Sequence, residues 1–317
     1  MSELKLGRLS SPKDRVTLKF NKYKTIPVVV PATIDHYSKI GDWLMFMNDT
    51  VGCCTIAALG HLIREWTNGN AVITDDQIIQ AYSDNSGYNP ATGDNDNGCD
   101  MLTVQKYAMS KGIAGHKNSA FAELDATRLQ EILEGLFLFE GVDIGVNLPQ
   151  SAMDQFNANL PWTVSGDSTI LGGHSICIVG FDGTWFYVVT WRKLVQVSPQ
   201  WLSVYMDEAY VEISEDYFNG NKSIEGYDFD TLKADLIAIS DGTYDVPPVD
   251  PTPIPIPSPT PIPVPDNETI LQKIIEWVEK ELDIKESDNL KERTAQCENK
   301  VKILDSLKSI LDKYNYI

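Results

Sequence analysis

The chain has 317 residues, enough for one large domain and a smaller part, and 43% of them are hydrophobic, as in ordinary globular proteins. Its 26 basic and 45 acidic residues give a formal net charge of −19, which repels nucleic-acid phosphates and anionic lipid. We therefore expect no binding to nucleic acid and none to membranes. The five cysteines form no CxxC pair, so no metal site and no cofactor is expected.

The N-terminus, MSELKLGRLSSPKDR, lacks the apolar core of a signal peptide, and no apolar run is long enough to span a bilayer. This predicts synthesis in a cytoplasm without cleavage. Residues 1–30 are interpreted as an N-terminal extension, followed by one domain over residues 31–246.

Within residues 31–246, helical patterns come first and strand-like patterns follow. The apolar stripe Ile56, Leu59, Ile63 and Trp66 marks one helix, and DQIIQAYS and DMLTVQKYAMSKGI continue the helical spacing. The runs VDIGVNL, HSICIVGF, WFYVVTW and EAYVEIS are rich in β-formers. This order predicts an α+β domain with a helical part, an antiparallel β part and a cleft between them.

The end of the chain has a different composition. Residues 247–265 carry proline at nearly every second position, which predicts a polyproline II linker. Residues 266–317 contain two amphipathic patterns, and in the second of them apolar residues recur every seven positions at Leu290, Cys297, Leu304 and Leu311. This predicts a C-terminal helical hairpin used for anchoring or oligomerisation.

The stretch NDTVGCCTIAALGH contains two candidate nucleophiles at the predicted start of a helix, where free amides and the helix dipole stabilise a thiolate. Cys54 falls opposite the apolar stripe and is favoured, whereas Cys53 lies on its flank. His61 is about 10 Å along the helix from Cys54, too far for a hydrogen bond. His174 follows two glycines that permit close approach of another backbone, and it opens a strand.

These residues, in this order, resemble the papain-like cysteine proteases. Asn48 stands six residues before Cys54, Gly52 two before it, and His174 opens ICIVGF. The segments NDNGCDMLTVQKYAMSKGI, VDIGVNLPQSAMDQF and FDGTWFYVVTW are similar to successive segments of that family, from about residue 31 to residue 214. The resemblance implies a papain-like fold of two subdomains. Uncharacterised papain-like proteins of phages and prophages are similar in overall appearance.

The resemblance also implies roles for individual residues. Cys54 would attack a carbonyl and His174 would serve as base and then acid. The Cys54 amide and the Asn48 side chain would hold the oxyanion. The catalytic set is thus Cys54, His174, Thr190 and Asn48, and the substrate-binding set is Asn97, Gly98 and Gly173.

The chain departs from the family at several positions. Thr190 stands where the asparagine that orients the histidine is expected, Asn48 is one methylene shorter than glutamine, and Thr55 replaces a tryptophan. About thirty residues precede the domain, too few for the family's inhibitory prosegment, so no conventional zymogen is expected.

Three functions are open from the sequence. The first is a thiol hydrolase acting on peptide or isopeptide bonds of a protein substrate. The second is an inactive or weakened papain-fold module for binding or structure, such as a virion accessory or decoration protein attached through residues 266–317. The third is a thiol acyltransferase.

Overall fold

The structure is a computed structural model that describes residues 4–12, 16–166, 169–217 and 227–240. All of them belong to one unit of the chain, Met1–Asp245. The proline-rich linker 247–265 and the helical hairpin 266–317 lie outside the described residues and stay predictions. Among the described helices, none is both long and apolar enough to cross a membrane.

Some of the helices begin at a residue whose side chain caps them. Thr74 and Gln77 form a reciprocal capping box at the start of one helix, and Gly87, in a left-handed conformation, ends it. The helices of the described part are α1 (Phe20–Tyr23), α2 (Cys54–Trp66), α3 (Asp75–Ser86), α4 (Met101–Ser110), α5 (Leu129–Phe139), α6 (Gln150–Asn157), α7 (Pro199–Tyr205) and α8 (Phe229–Ser240).

The strands of the described part are β1 (Arg8–Leu9), β2 (Ile34–Asp35), β3 (Cys99–Asp100), β4 (Asn118–Glu123), β5 (Val142–Pro149), β6 (Ile170–Phe181), β7 (Phe186–Thr190), β8 (Lys193–Val197) and β9 (Met206–Ser214). Six of them form an antiparallel sheet in the order β4-β9-β5-β6-β7-β8, and β2 pairs with β6 beside this path. The short strands β1 and β3 pair separately and in parallel.

Strand β6 divides the interior into two cores. Its side chains alternate between the two faces of the sheet. Ile176 and Ile178 are buried in a core with α5 and the other strands, whereas Cys177 and Val179 are buried in a second core with α2, α3 and α4. The prediction of an α+β fold with a helical half and an antiparallel β half is confirmed.

Residues assigned to the N-terminal extension pack against this domain. Phe20 and Tyr23 of α1 are 0% and 2% exposed and belong to the first core. Further upstream, Arg8 of β1 lies opposite Cys99 of β3. The beginning of the chain therefore reaches the region of the predicted cleft.

Candidate functional site

Cys54 is the first residue of α2, and Cys53 is its N-cap. The Cys53 side chain does not cap the helix but donates its thiol to the Phe46 carbonyl at 3.3 Å. Since the first amides of a helix have no partner within it, Cys54 lies at the positive end of the helix dipole. Of the two adjacent cysteines, Cys53 thus has a packing role and Cys54 occupies the polar end of the helix.

The loop before Asn48 has a strained backbone. Leu44, Phe46 and Met47 have φ of 60°, 57° and 59°, a conformation that costs non-glycine residues about 1 kcal/mol or more each. Such strain persists only where the surroundings fix the chain. Asn48 itself is 2% exposed, and its carbonyl accepts from the Trp191 Nε1–H at 3.2 Å. The loop therefore places Asn48 beside the end of β7.

His174 is fully buried on β6, and only one of its two ring nitrogens has a hydrogen-bond partner. Its Nε2 lies 2.8 Å from the Thr190 hydroxyl at the end of β7. Its Nδ1 has no hydrogen-bond partner. A buried polar atom without a partner is rare and calls for an explanation. Thr190 thus contacts one nitrogen of the ring, and the other nitrogen has no hydrogen-bond partner.

Trp191 covers the imidazole of His174. The two rings stack with centroids 4.2 Å apart and planes 15° apart. Trp191 and Arg192 form the two-residue turn between β7 and β8, and both have a positive φ, 43° and 65°. Turns of this kind usually contain Asn-Gly, because few other residues adopt a positive φ without strain. Two hydrogen bonds of 2.9 and 2.7 Å from Arg192 to Asp42 anchor this turn. The strained turn places an indole over the ring and keeps water from it.

No hydrogen bond joins Cys54 and His174. The Cys54 sulfur lies against the backbone amides of Ser175, the neighbour of His174, and of Gly7. The pKa of Cys54 is raised to about 11, because desolvation outweighs these two amides and the Arg8 charge, which lower it. The pKa of His174 falls to about 3 through burial and the Arg8 charge. The pair is therefore neutral in this state.

A segment of residues 4–12, called here the N-terminal segment, covers Cys54. The Cys99 amide donates to the Gly7 carbonyl at 2.9 Å. A Cβ on Gly7 would lie 1.9 Å from the Gly52 oxygen, and one on Gly173 would lie 2.3 Å from the Arg8 oxygen. These backbones are packed without room for side chains. The segment thus explains why Cys54 is 0% exposed.

The predicted substrate-binding residues differ in their surroundings. Gly98, with φ of +82°, packs so closely on Gly7 that a Cβ would lie 2.0 Å from the Gly7 oxygen. Gly173 contacts Arg8 in the same way. Asn97 is exposed, and its amide donates to the Asn95 carbonyl at 2.8 Å. Gly98 and Gly173 therefore both pack on the N-terminal segment, at neighbouring residues of it, whereas Asn97 is exposed.

Sequence reasoning did not identify two supporting residues, Asp96 and Tyr82. One Asp96 oxygen accepts from the Gly52 amide at 2.8 Å and from the Tyr82 hydroxyl at 2.7 Å. The Tyr82 hydroxyl accepts in turn from the Gly98 amide at 2.9 Å. This network joins the loop before Cys54 to the loop that carries Gly98. No motif marks it, although Asp96 lies within the quoted NDNG stretch.

Among the described residues, no group of three or more histidine, cysteine or acidic side chains could hold a metal ion.

Comparison with solved structures identifies the architecture. The structure is similar to that of xylellain, a cysteine protease from Xylella fastidiosa, with a TM-score of 0.50 at 13% identity over 67% of this chain and 97% of the other. The chain has a papain-like fold. Other matches are the Carica candamarcensis protease CMS1MS2 in complex with E-64 (TM-score 0.42, 11% identity, 58% and 99% coverage) and procathepsin L 3 of Tenebrio molitor larval midgut (0.44, 11%, 67% and 76%).

No protein-family model matches the sequence, and a search of the curated proteins finds no match. At these identities the similarity establishes the papain-like fold, and activity has to be argued from the site itself.

Proposed function

We propose that the chain is a thiol hydrolase acting on peptide or isopeptide bonds, with Cys54 as nucleophile and His174 as acid–base, held latent by its N-terminal segment. The observation that carries the proposal is the half-satisfied imidazole. Its Nε2 is bound to Thr190 while its Nδ1 is unpartnered, in the site where the thiol of Cys54 sits at a helix N-terminus. A purely structural histidine would normally have both nitrogens paired.

The chemistry follows from these groups. His174 Nδ1 takes the proton of Cys54, and the thiolate attacks the substrate carbonyl, forming an S–C bond. The tetrahedral oxyanion is stabilised by the Cys54 amide and by Asn48. The C–N bond then breaks, and the leaving amine takes the proton from His174. Water, deprotonated by His174, then attacks the thioester carbonyl; the C–S bond breaks, the acid is released, and His174 returns the proton to the sulfur.

The N-terminal segment opposes the first step. It removes water from the thiol and brings the positive charge of Arg8 near His174, which keeps the imidazole neutral. When the segment leaves, solvation favours both the thiolate and the imidazolium, whereas loss of the Arg8 charge favours the imidazolium and disfavours the thiolate.

The test displaces the segment within the full chain. Gly7→Glu inserts a side chain where even a Cβ would lie 1.9 Å from the Gly52 oxygen, so the segment has to leave. Gly41→Glu is the matched control, because nothing lies within 4 Å of its Cβ. Iodoacetamide labelling of Cys54, followed by mass spectrometry, measures its reactivity, and an internally quenched peptide mixture measures hydrolysis.

We expect Gly7→Glu to raise both Cys54 labelling and hydrolysis at least tenfold, and Gly41→Glu to change neither. Adding His174→Ala to Gly7→Glu should abolish hydrolysis. If Cys54 in Gly7→Glu reacts no faster than Cys99 and Cys177, the catalytic proposal fails. A product that appears only with an added amine would instead indicate the acyltransferase.

A second candidate is a papain-fold binding or structural module. The observation that favours it is the complete burial of Cys54 together with a thiol pKa of about 11. In this proposal the segment never leaves, and residues 247–317 would attach the domain to an assembly such as a virion. Rapid Cys54 labelling without any hydrolysis or amine transfer in Gly7→Glu would support it. Retention on a candidate assembly after deletion of residues 247–317 would contradict it.

A further inference from the structure

We propose that the cavity occupied by Arg8 is a specificity pocket that selects an arginine side chain in peptides that bind beside Cys54. We call it the arginine pocket and define it by Met101, Gly145, Asp207 and Glu208. The proposal deepens the proposed function, since it names the substrate class of the same site.

Two carboxylates hold the Arg8 guanidinium in the arginine pocket. Nη2 lies 2.8 Å from one Asp207 oxygen, and Nη1 lies 3.3 Å from a Glu208 oxygen. The side chains of Arg8 and Glu208 are 1% and 3% exposed, whereas that of Asp207 is 38% exposed. Glu208 therefore lies at the inner end of the pocket and Asp207 at its mouth.

A β-bulge brings the two carboxylates together. Neighbouring residues of a regular strand point to opposite faces, so Asp207 and Glu208 would not normally reach one ligand. In the pairing of β5 with β9, Gly145 lies opposite Glu208 and Val146 opposite Met206, which leaves Asp207 as the extra residue. Such bulges redirect side chains and are common beside active sites. The strand is thus deformed where the guanidinium binds.

Gly145 makes room for the guanidinium. A Cβ at this position would lie 2.7 Å from Arg8 Nη1 and 2.8 Å from the Met101 sulfur. Any larger residue on this central strand would close the pocket. The glycine and the bulge occur on adjacent strands at the same register position, so the two features shape one cavity.

The pocket is held together by further hydrogen bonds. Asn147 donates to Asp207 at 3.0 Å, and Tyr210 donates its hydroxyl to Glu208 at 2.7 Å. Ser11, within the N-terminal segment, also donates to Glu208. Carboxylates fixed in this way suit the planar, multiply donating guanidinium better than the ammonium of a lysine.

The charge of the pocket favours a cation over an apolar side chain. Buried Asp143 lies near Glu208, and its pKa is raised to about 7, because burial and the charge of Glu208 outweigh its hydrogen bonds and the positive charge of Arg8. Filling the pocket with leucine would leave the Glu208 carboxylate without a cation in a buried place. A peptide that replaces the N-terminal segment therefore gains most when it supplies an arginine.

Contacts of the backbone place the pocket relative to the reactive sulfur. Gly7 precedes Arg8, and its amide lies against Cys54 while its carbonyl accepts from Cys99. The residue whose side chain fills the arginine pocket is therefore next in sequence to the residue whose amide contacts the Cys54 sulfur. Because main-chain bonds are the same for every sequence, the side chain in the pocket decides between peptides.

The experiment measures binding without turnover. Full-length Gly7→Glu protein is incubated with a peptide that matches residues 4–12, or with the same peptide carrying lysine, leucine or glutamate in place of arginine. Protection of Cys54 against iodoacetamide is then followed by mass spectrometry. We expect the arginine peptide to protect at a concentration at least tenfold below that of the leucine peptide, and the glutamate peptide not to protect.

Two second-site variants test the pocket itself. Glu208→Gln removes a carboxylate, and Gly145→Ala fills the space without a change of charge. Each, added to Gly7→Glu, should reduce the arginine-to-leucine ratio to near one, and thermal unfolding identifies a variant that fails to fold. Equal protection by the arginine and leucine peptides in Gly7→Glu overturns the proposal. Selective protection without any hydrolysis leaves the pocket intact and contradicts only the proposed hydrolase.

Discussion

Glu65, buried in α2, should make the stability of the domain fall as pH rises. Its side chain is 3% exposed, one oxygen lies 3.9 Å from His36 Nδ1, and the other has no hydrogen-bond partner. Desolvation and then the nearby Glu140 charge raise the pKa of Glu65 to about 10. The folded chain therefore binds a proton here that the unfolded chain releases above its ordinary pKa of 4.5.

Proton linkage gives the sign and the size of the effect. Between the two pKa values the folded state holds one more proton, so the free energy of unfolding falls by about 1.4 kcal/mol per pH unit. From pH 7.5 to pH 9 this amounts to about 2 kcal/mol. The pKa values of His61 and His174 are lowered to about 4 and about 3, so these groups contribute stability that is lost only as pH falls below about 6.5.

Glu65→Gln removes the titrating group and keeps its shape. Urea unfolding followed by tryptophan fluorescence at pH 7.5 and pH 9 should show the variant gaining about 2 kcal/mol on the wild type over this interval. Glu215→Gln, at an exposed position, should follow the wild type. If the difference between Glu65→Gln and wild type is the same at both pH values, Glu65 is ionised in the folded chain and the reasoning is refuted.

Three further predictions concern the site. Thr190→Val leaves buried His174 Nε2 without its partner and should lower the free energy of unfolding by about 1–3 kcal/mol, measured by urea unfolding, while Thr190→Ser should lose much less. Gly98→Ala, at φ +82° and against the Gly7 oxygen, should accelerate Cys54 labelling, whereas Gly41→Ala should not. In the wild type at pH 7, iodoacetamide should label Cys54 more slowly than in the urea-unfolded chain, because the thiol is 0% exposed and its pKa is about 11, and equal rates would contradict this.

The start of α2 and the position of His174 could be predicted because short stretches of the sequence around each of them indicate its place. The apolar stripe sets the phase of the helix and singles out Cys54. The glycines before His174 mark a close backbone approach, which is the contact of Gly173 with Arg8. The resemblance to the papain-like family points to Thr190, which lies 2.8 Å from the ring of His174.

The N-terminal segment could not be predicted, because its contacts are distant in sequence. Arg8 binds side chains 199 and 200 positions away, and nothing near LKLGRLSS signals this. The bulge at Asp207 is equally hidden, since it lies just before EAYVEIS, which reads as a regular strand. Strand β8 was missed because Trp191 and Arg192 are unusual residues for the turn that precedes it.

Because the N-terminal segment is part of the chain, a substrate has to reach a minimum concentration before it can displace the segment from Cys54. A segment joined to its own site competes at an effective concentration on the order of millimolar. Free peptides at micromolar concentration therefore cannot displace it from the wild type, even when they carry an arginine. We expect the quenched peptides to be cleaved at micromolar concentration by Gly7→Glu but not by the wild-type chain. Equal cleavage by both proteins would mean that the segment leaves Cys54 readily and does not restrain it.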